Sequence, residues 1–244
     1  MLIIKVIFQK EVSAFFNSII AYLVICVFLI GVGLFFWVFP DNILETRAAE
    51  LSSLFGIAPW FFLFLIPAIT MRSFAEEFKL GTFEILSTKP VTEWQILLGK
   101  YFAAVFLVIF SLLPTLFYYA TVYYLAKPTG NLDNGAIIGA YLGLLAIGIV
   151  FCAIGIFSSC LTDSQIVAFI IGVFLSFFIY TAFDFLAELK VFEEYNHFIL
   201  QLGMLEHYRS ISRGVVDSRD LTYFASVIVF FLFLTRTVLL QKKK

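Results

Sequence analysis

Six runs of mostly apolar residues, at 19–39, 54–70, 101–126, 136–161, 165–187 and 221–240, constrain this chain more than any other feature. A helix crossing a bilayer needs about 20 such residues to span roughly 30 Å of hydrocarbon. The second run is short by itself and is expected to continue as helix through Met71 to Lys79. Only Thr162, Asp163 and Ser164, a tight polar turn, separate the fourth run from the fifth. The chain is 62% hydrophobic and 14% charged, with a mean hydropathy of +1.01. A soluble domain of 244 residues has too little interior to hide that much apolar surface. The expected fold is an all-α integral membrane protein with six transmembrane helices in a single domain, 1–244.

Residues 1–18 are expected to form an interfacial helix. Ile4, Ile7, Phe8, Val12 and Phe15 share one face, with Lys5 and Gln9 elsewhere. A disordered polar terminus is the alternative. The first run is expected to remain as a span rather than be removed as a leader. Trp37, Phe39 and Pro40 occupy the positions where a cleavage site would need small residues. Six spans put both ends of the chain on one side. Lys5, Lys10, Arg72, Lys79, Lys89, Lys100, Arg236 and Lys242 to Lys244 fall there, against Arg47, Lys127, Lys190, Arg209, Arg213 and Arg219 on the other. Basic residues favour the cytoplasmic side, so both termini and residues 71–100 are assigned to it.

The 71–100 segment carries Arg72, Lys79, Lys89 and Lys100 with Glu76, Glu77, Glu84 and Glu93. Gly81 can end the helix that continues the second span, since Gly tolerates a left-handed C-terminal conformation. Thr82 to Ser87 forms a short helix with Phe83 and Leu86 three apart on one face. Lys89-Pro90 stops it, because the residue before Pro disfavours helical backbone. Thr92, with Gln95 three residues on, starts the next helix with a capping-box spacing. The result is two protruding helices bridged at the tip by a short one. Such a tip can dock in a partner's groove through Phe83 and Leu86. A solvated loop is the plainer alternative.

FAEEFKLGTFEILSTKPVTEWQILLGKYFA resembles the cytoplasmic loop of ABC-2 type transporter permeases. Glu76, Glu77, Gly81, Thr82, Glu84, Leu86, Pro90, Gly99 and Lys100 fit its usual form, and HYRSISRGVVDSRDLTYF resembles the segment before the family's last span. Within the family the likeness is greatest to the gliding-motility-associated permease; permeases of copper-enzyme maturation and of sodium or drug efflux share much of the loop. The resemblance implies a coupling helix, with Phe83 among its residues, that fits a cytoplasmic ABC ATPase subunit. It also implies a second permease chain, identical or different, in a bacterial inner membrane, and leaves room for an accessory outer-side subunit. This chain lacks a phosphate-binding loop of its own. Around Gly99-Lys100 the first Gly position is Trp94, and Tyr101 stands where Ser or Thr belongs.

The spans are nearly free of mid-membrane charge, which argues against a proton-coupled transporter. Asp184 and Arg236 lie close to span ends. Gly139 and Gly143 form a GxxxG pair that permits close helix approach, within the chain or across a dimer. Pro114 is expected to bend the third span, with Ser111 and Thr115 helping to satisfy the freed backbone. Tyr118, Tyr119, Tyr123 and Tyr124 form an aromatic belt or, on a sharper reading, contact substrate. In 188–220, Val191, Tyr195, Phe198, Ile199 and Leu202 follow helical spacing up to Gly203. Leu205, Tyr208 and Ile211 suggest a second short helix ending near Gly214. By resemblance these outer helices, with Tyr195, Tyr208 and Arg213, could shape an outer gate.

No catalytic set, cofactor motif or metal-ligand spacing stands out. His197 and His207 match no zinc pattern, and Cys26, Cys152 and Cys160 all fall within apolar runs. A net charge of −1 gives no nucleic-acid signal. Beside transport stand a non-transporting anchor in a motility or secretion complex and a membrane-embedded enzyme, which the missing catalytic set disfavours. A cysteine at Ser87 should label from the cytoplasm, and one at Asn131 only from outside. Labelling of both from one face would refute the six-span order.

Overall fold

A computed structural model describes residues 2–40, 42–46, 50–88, 90–189, 196–215 and 217–243, and the described residues contain no strand. The helices are α1 (Leu2–Phe16), α2 (Ile19–Trp37), α3 (Ile43–Thr46), α4 (Ser52–Thr70), α5 (Arg72–Lys79), α6 (Thr82–Ser87) and α7 (Glu93–Leu112). After a 3-10 turn at Leu113–Thr115 come α8 (Leu116–Leu125), α9 (Asn134–Leu161), α10 (Gln165–Glu188), α11 (Asn196–Gln201), α12 (Met204–Ser212) and α13 (Ser218–Lys242).

Five stretches are long and apolar enough to cross a membrane: Ser52–Lys79, Glu93–Leu125, Asn134–Leu161, Gln165–Glu188 and Ser218–Lys242. The expected first span enters only as part of a pair, Leu2–Phe16 with Ala21–Trp37, bent by 71°. Counting that pair as one gives six. The second span does run on through Met71 to Lys79. The sixth begins at Ser218, before the expected 221, because the Asp217 carboxylate accepts from the Arg219 N–H at 3.0 Å and caps it. Of the outer segment, residues 190–195, including Val191 and Tyr195, lie outside the described residues. α11 and α12 follow, separated at Gly203 as the spacing predicts.

α9 is the central helix, packing against α4, α7, α10, α12 and α13. Small residues bring these neighbours close. A side chain at Gly143 would meet the Tyr208 ring at 2.8 Å, and one at Gly139 would meet Gly214 Cα at 2.8 Å. The GxxxG pair therefore packs within the chain, against α12 and the turn after it. Gly148 receives Val108, and Gly155 receives Thr70.

At Pro114 the third span breaks into the 3-10 turn. The Ser111 hydroxyl bonds the Val108 carbonyl at 2.8 Å, and the Thr115 hydroxyl bonds that of Leu112 at 2.7 Å. The carbonyl that Pro114 deprives is that of Phe110, four residues back. The hydroxyls thus support neighbouring carbonyls rather than the freed one. Of the tyrosines, Tyr118 bonds the Leu29 carbonyl and Tyr119 bonds Asn134, so these two tie helices together.

Forcing a side chain into a closely packed interior costs about 1–3 kcal/mol. Gly143→Leu should lower the thermal stability of the solubilised single chain by that amount. A loss of self-association with unchanged melting would show that the pair serves a dimer instead.

Candidate functional site

Within 71–100 a few polar residues, Lys100 and Glu77 first among them, face inward, while Lys79, Thr82, Glu84, Thr88 and Thr92 are exposed. α4 and α5 form one rod with a joint at Met71, and α9 supplies the polar group that satisfies it. The Ser159 hydroxyl accepts the backbone N–H of Phe74 at 2.9 Å and of Ala75 at 3.1 Å, and donates to the Met71 carbonyl at 3.0 Å. One donor and two acceptor positions exhaust a hydroxyl, and buried helix ends need such partners. A lone serine in an apolar run carries no signal of this role.

α5 ends at Lys79, and Gly81 follows with φ +66°, the left-handed conformation expected of it. α6 then turns back beneath α5. Thr92 starts α7 with the expected capping box: its hydroxyl accepts the Gln95 N–H at 3.3 Å, and the Gln95 side chain accepts the Thr92 N–H at 3.1 Å.

Lys100 is 2% exposed. Its ammonium donates to Glu11 at 2.9 Å and to the Ser73 carbonyl at 2.6 Å, and it lies 2.9 Å from Glu77. Lys10 completes the group at 3.1 Å from Glu77. Two lysines and two glutamates balance in charge, which a buried cluster requires. Partial burial opposes charge on Lys10, but Glu77 and Glu11 outweigh it and hold its ammonium above the ordinary lysine range. Gly99 admits α1 to this position: a side chain there would strike Ile7 at 2.7 Å. α1 then follows α7, with Phe8 on Phe106 and Phe16 on Phe110. A cleft of about 220 Å³ beside the cluster is lined by Glu11, Arg72, Glu76 and Lys100, among others.

Phe83 differs from expectation. It is 5% exposed, with its ring edge-on to Phe78 at 5.0 Å and to Phe74 at 6.4 Å. α5 supplies the apolar cover that the sequence argument had assigned to a partner. The side chain of Leu86 lies outside the described residues. The outward surface instead carries Leu80, 66% exposed, and Ile85, 63% exposed, beside exposed Thr82, Glu84 and Pro90. Glu76 and Glu77, in the last turn of α5, are half-buried.

At the opposite end, Tyr208 is buried. Its hydroxyl donates to the Phe55 carbonyl at 2.7 Å and links α12 to α4. Arg213 is exposed, and Tyr195 lies outside the described residues. His207 sits between the Gln201 carbonyl at 2.8 Å and the Asp220 carboxylate at 2.7 Å, stacked on Tyr223. Asp184 is 3.3 Å from Arg209, and Arg236 lies 5.3 Å over Trp94. Among the described residues no three His, Cys, Asp or Glu side chains come together as a metal site.

The model of a family described as ABC-2 family transporter protein matches residues 45–190, more than half of the chain. The chain belongs to the ABC-2 transporter family. No curated protein matches the sequence. Membership and the long apolar helices make this a multi-pass membrane protein and a permease component of an ABC transporter, a family whose members work with an ATPase and are not generally catalytic themselves. The match spans α4 to α10 and so includes the whole 71–100 segment of this ABC-2 protein.

Removing one partner of a buried ion pair costs about 3–5 kcal/mol, whereas an exposed pair is worth under about 1 kcal/mol. Lys100→Met should therefore lower unfolding stability by about 3 kcal/mol, while Lys10→Gln should change it little. Thermal unfolding of the two variants in the same detergent checks the difference.

Proposed function

We propose that this chain is the transmembrane subunit through which a separate cytoplasmic ATPase drives substrate across a bacterial inner membrane. Both termini and the 71–100 segment face the cytoplasm, α1 lies at the inner surface, and two permease chains work with a pair of ATPases. α6 is the coupling helix. The observation that carries this reading is the contrast between the two sides of the tip. Its inner side rests on the Phe74, Phe78 and Phe83 rings, and its outer side shows Leu80 and Ile85. Large apolar side chains ringed by polar ones are the usual anchor of a docking surface.

Closure of the ATPases would press on α6 and pass through the aromatic cluster to the α4–α5 rod. The spans would rock between inward-open and outward-open packings, with Tyr208 and Arg213 contributing to the outer gate. The loop's likeness to gliding-motility-associated permeases supports a place in such a system.

The experiment is retention of the cognate ATPase on permease-containing membranes. A central apolar anchor typically carries about 2 kcal/mol or more of binding, a factor of roughly 30. Ile85→Asp should weaken retention by at least tenfold, and Glu84→Gln only slightly and mostly at low salt. Phe83→Ala should also weaken it, but through a loosened tip. Undiminished retention in Ile85→Asp, at equal permease levels, would remove the docking site from the account.

A further inference from the structure

The last turn of α13 reaches the tip from the far end of the sequence. Lys242 Nζ lies 3.7 Å above the centre of the Phe78 ring and 3.2 Å from Asp163, in the turn between α9 and α10. Lys243 Nζ lies 2.8 Å from Glu93, the first residue of α7. About two turns back, Arg236 stacks over Trp94, which also meets Phe233. Phe78 is also the ring that meets Phe83, the inward side chain of α6. The aromatic cluster beneath the tip therefore has an ammonium at each flank. Lys100 lies 5.0 Å from Phe74, and Lys242 lies on Phe78.

The two flanks differ in kind. Lys100 is buried and bound on every side. Lys242 is about a third exposed, and its carboxylate partner Asp163 is 69% exposed. An exposed pair of that kind contributes little. The ammonium–ring contact is what the pair adds to the hold of Phe74 and Phe83 on Phe78, because a cation over an aromatic face is attracted by the ring quadrupole.

We propose that the cytoplasmic end of α13 is a latch that sets the position of the tip helix for its partner, with Lys242 and Lys243 as the positioning residues. Lys242 holds Phe78, Phe78 holds Phe83, and Phe83 fixes how α6 presents Ile85. Lys243 holds the start of α7 on the other side of the hairpin. The latch reads the position of the sixth span and transmits it to the docking surface. This inference rests on the coupling role proposed for α6.

The test uses full-length permease in vesicles, with Cys26 replaced by Ser and a spin label at Thr82. Without ATPase, Lys242→Gln should raise the mobility of the label, and Lys242→Arg should restore it, since a guanidinium also stacks on a ring. Asp163→Asn should leave it unchanged. With ATPase added, retention should fall roughly three- to tenfold in Lys242→Gln and recover in Lys242→Arg. Unchanged label mobility in Lys242→Gln would overturn the latch whatever the ATPase does. Increased mobility with full retention would overturn its role in docking, provided Ile85→Asp releases the ATPase. If Ile85→Asp also retains it, the docking reading fails and the latch's function fails with it.

Discussion

The Lys100 ammonium is the constraint around which the tip end of this protein is arranged. A charge this deeply buried demands compensation from several directions at once. Its partners come from two elements, Glu11 on α1 and Ser73 and Glu77 on α5, and they tie both to its own helix α7. Those elements cannot shift independently without leaving a charge unpaired. Gly99, the residue before it, is needed for a related reason. Only a residue without a side chain lets α1 come near enough for Glu11 to reach. The Gly-Lys pair is thus one device, in which the first residue makes room and the second fills it with charge.

This explains why so apolar a chain keeps a polar stretch in its middle. Much of the stretch is not there to meet water. Glu77 and Lys100 neutralise each other inside, Thr92 and Gln95 close the start of α7, and Gly81 turns the chain back. The aromatic residues fill the space beneath the tip, and two of the largest exposed side chains there are aliphatic. A paired charge inside, and two large aliphatic side chains among exposed polar ones outside, distinguish the stretch from a plain solvated loop. It suits the docking role proposed for α6, which needs a tip that holds its shape.

Features set by neighbours in sequence were legible. The apolar runs, the Thr92 cap, the turn at Gly81 and the break at Pro114 each depend on residues a few positions apart. Features set across the fold were not. The spacing of Phe83 and Leu86 says which residues share a face, but not what covers it, and α5 covers Phe83. The Gly139 and Gly143 spacing announces a close approach without naming the partner, which is α12. Nothing near Ser159 indicates that it completes the α4–α5 joint, because the N–H groups it serves are 84 and 85 positions away. Lys100 was visible as part of a family-like pattern, yet its link to Glu11 crosses 89 positions and follows only from helix packing.

The position of Ser159 also bears on how a push at the tip would travel. A load on α6 passes through Phe83 to α5, and from there it can take one of two courses. α5 could pivot about Met71, which would break the three hydrogen bonds of Ser159 inside the packed core. Alternatively α4, α5 and α9 could move together and keep them. Buried hydrogen bonds left unmade are costly, and the Thr70 contact at Gly155 leaves little room for α4 to slide past α9. The joint motion requires less free energy. Since α9 holds Tyr208 of α12 against Gly143 at its other end, and Tyr208 bonds α4 as well, that body extends to the opposite end of the bundle. Movement would then concentrate where α2, α10 and α13 meet it, at mostly apolar surfaces whose polar ties, among them Arg72 to Ser18, Arg209 to Asp184 and His207 to Asp220, would have to give.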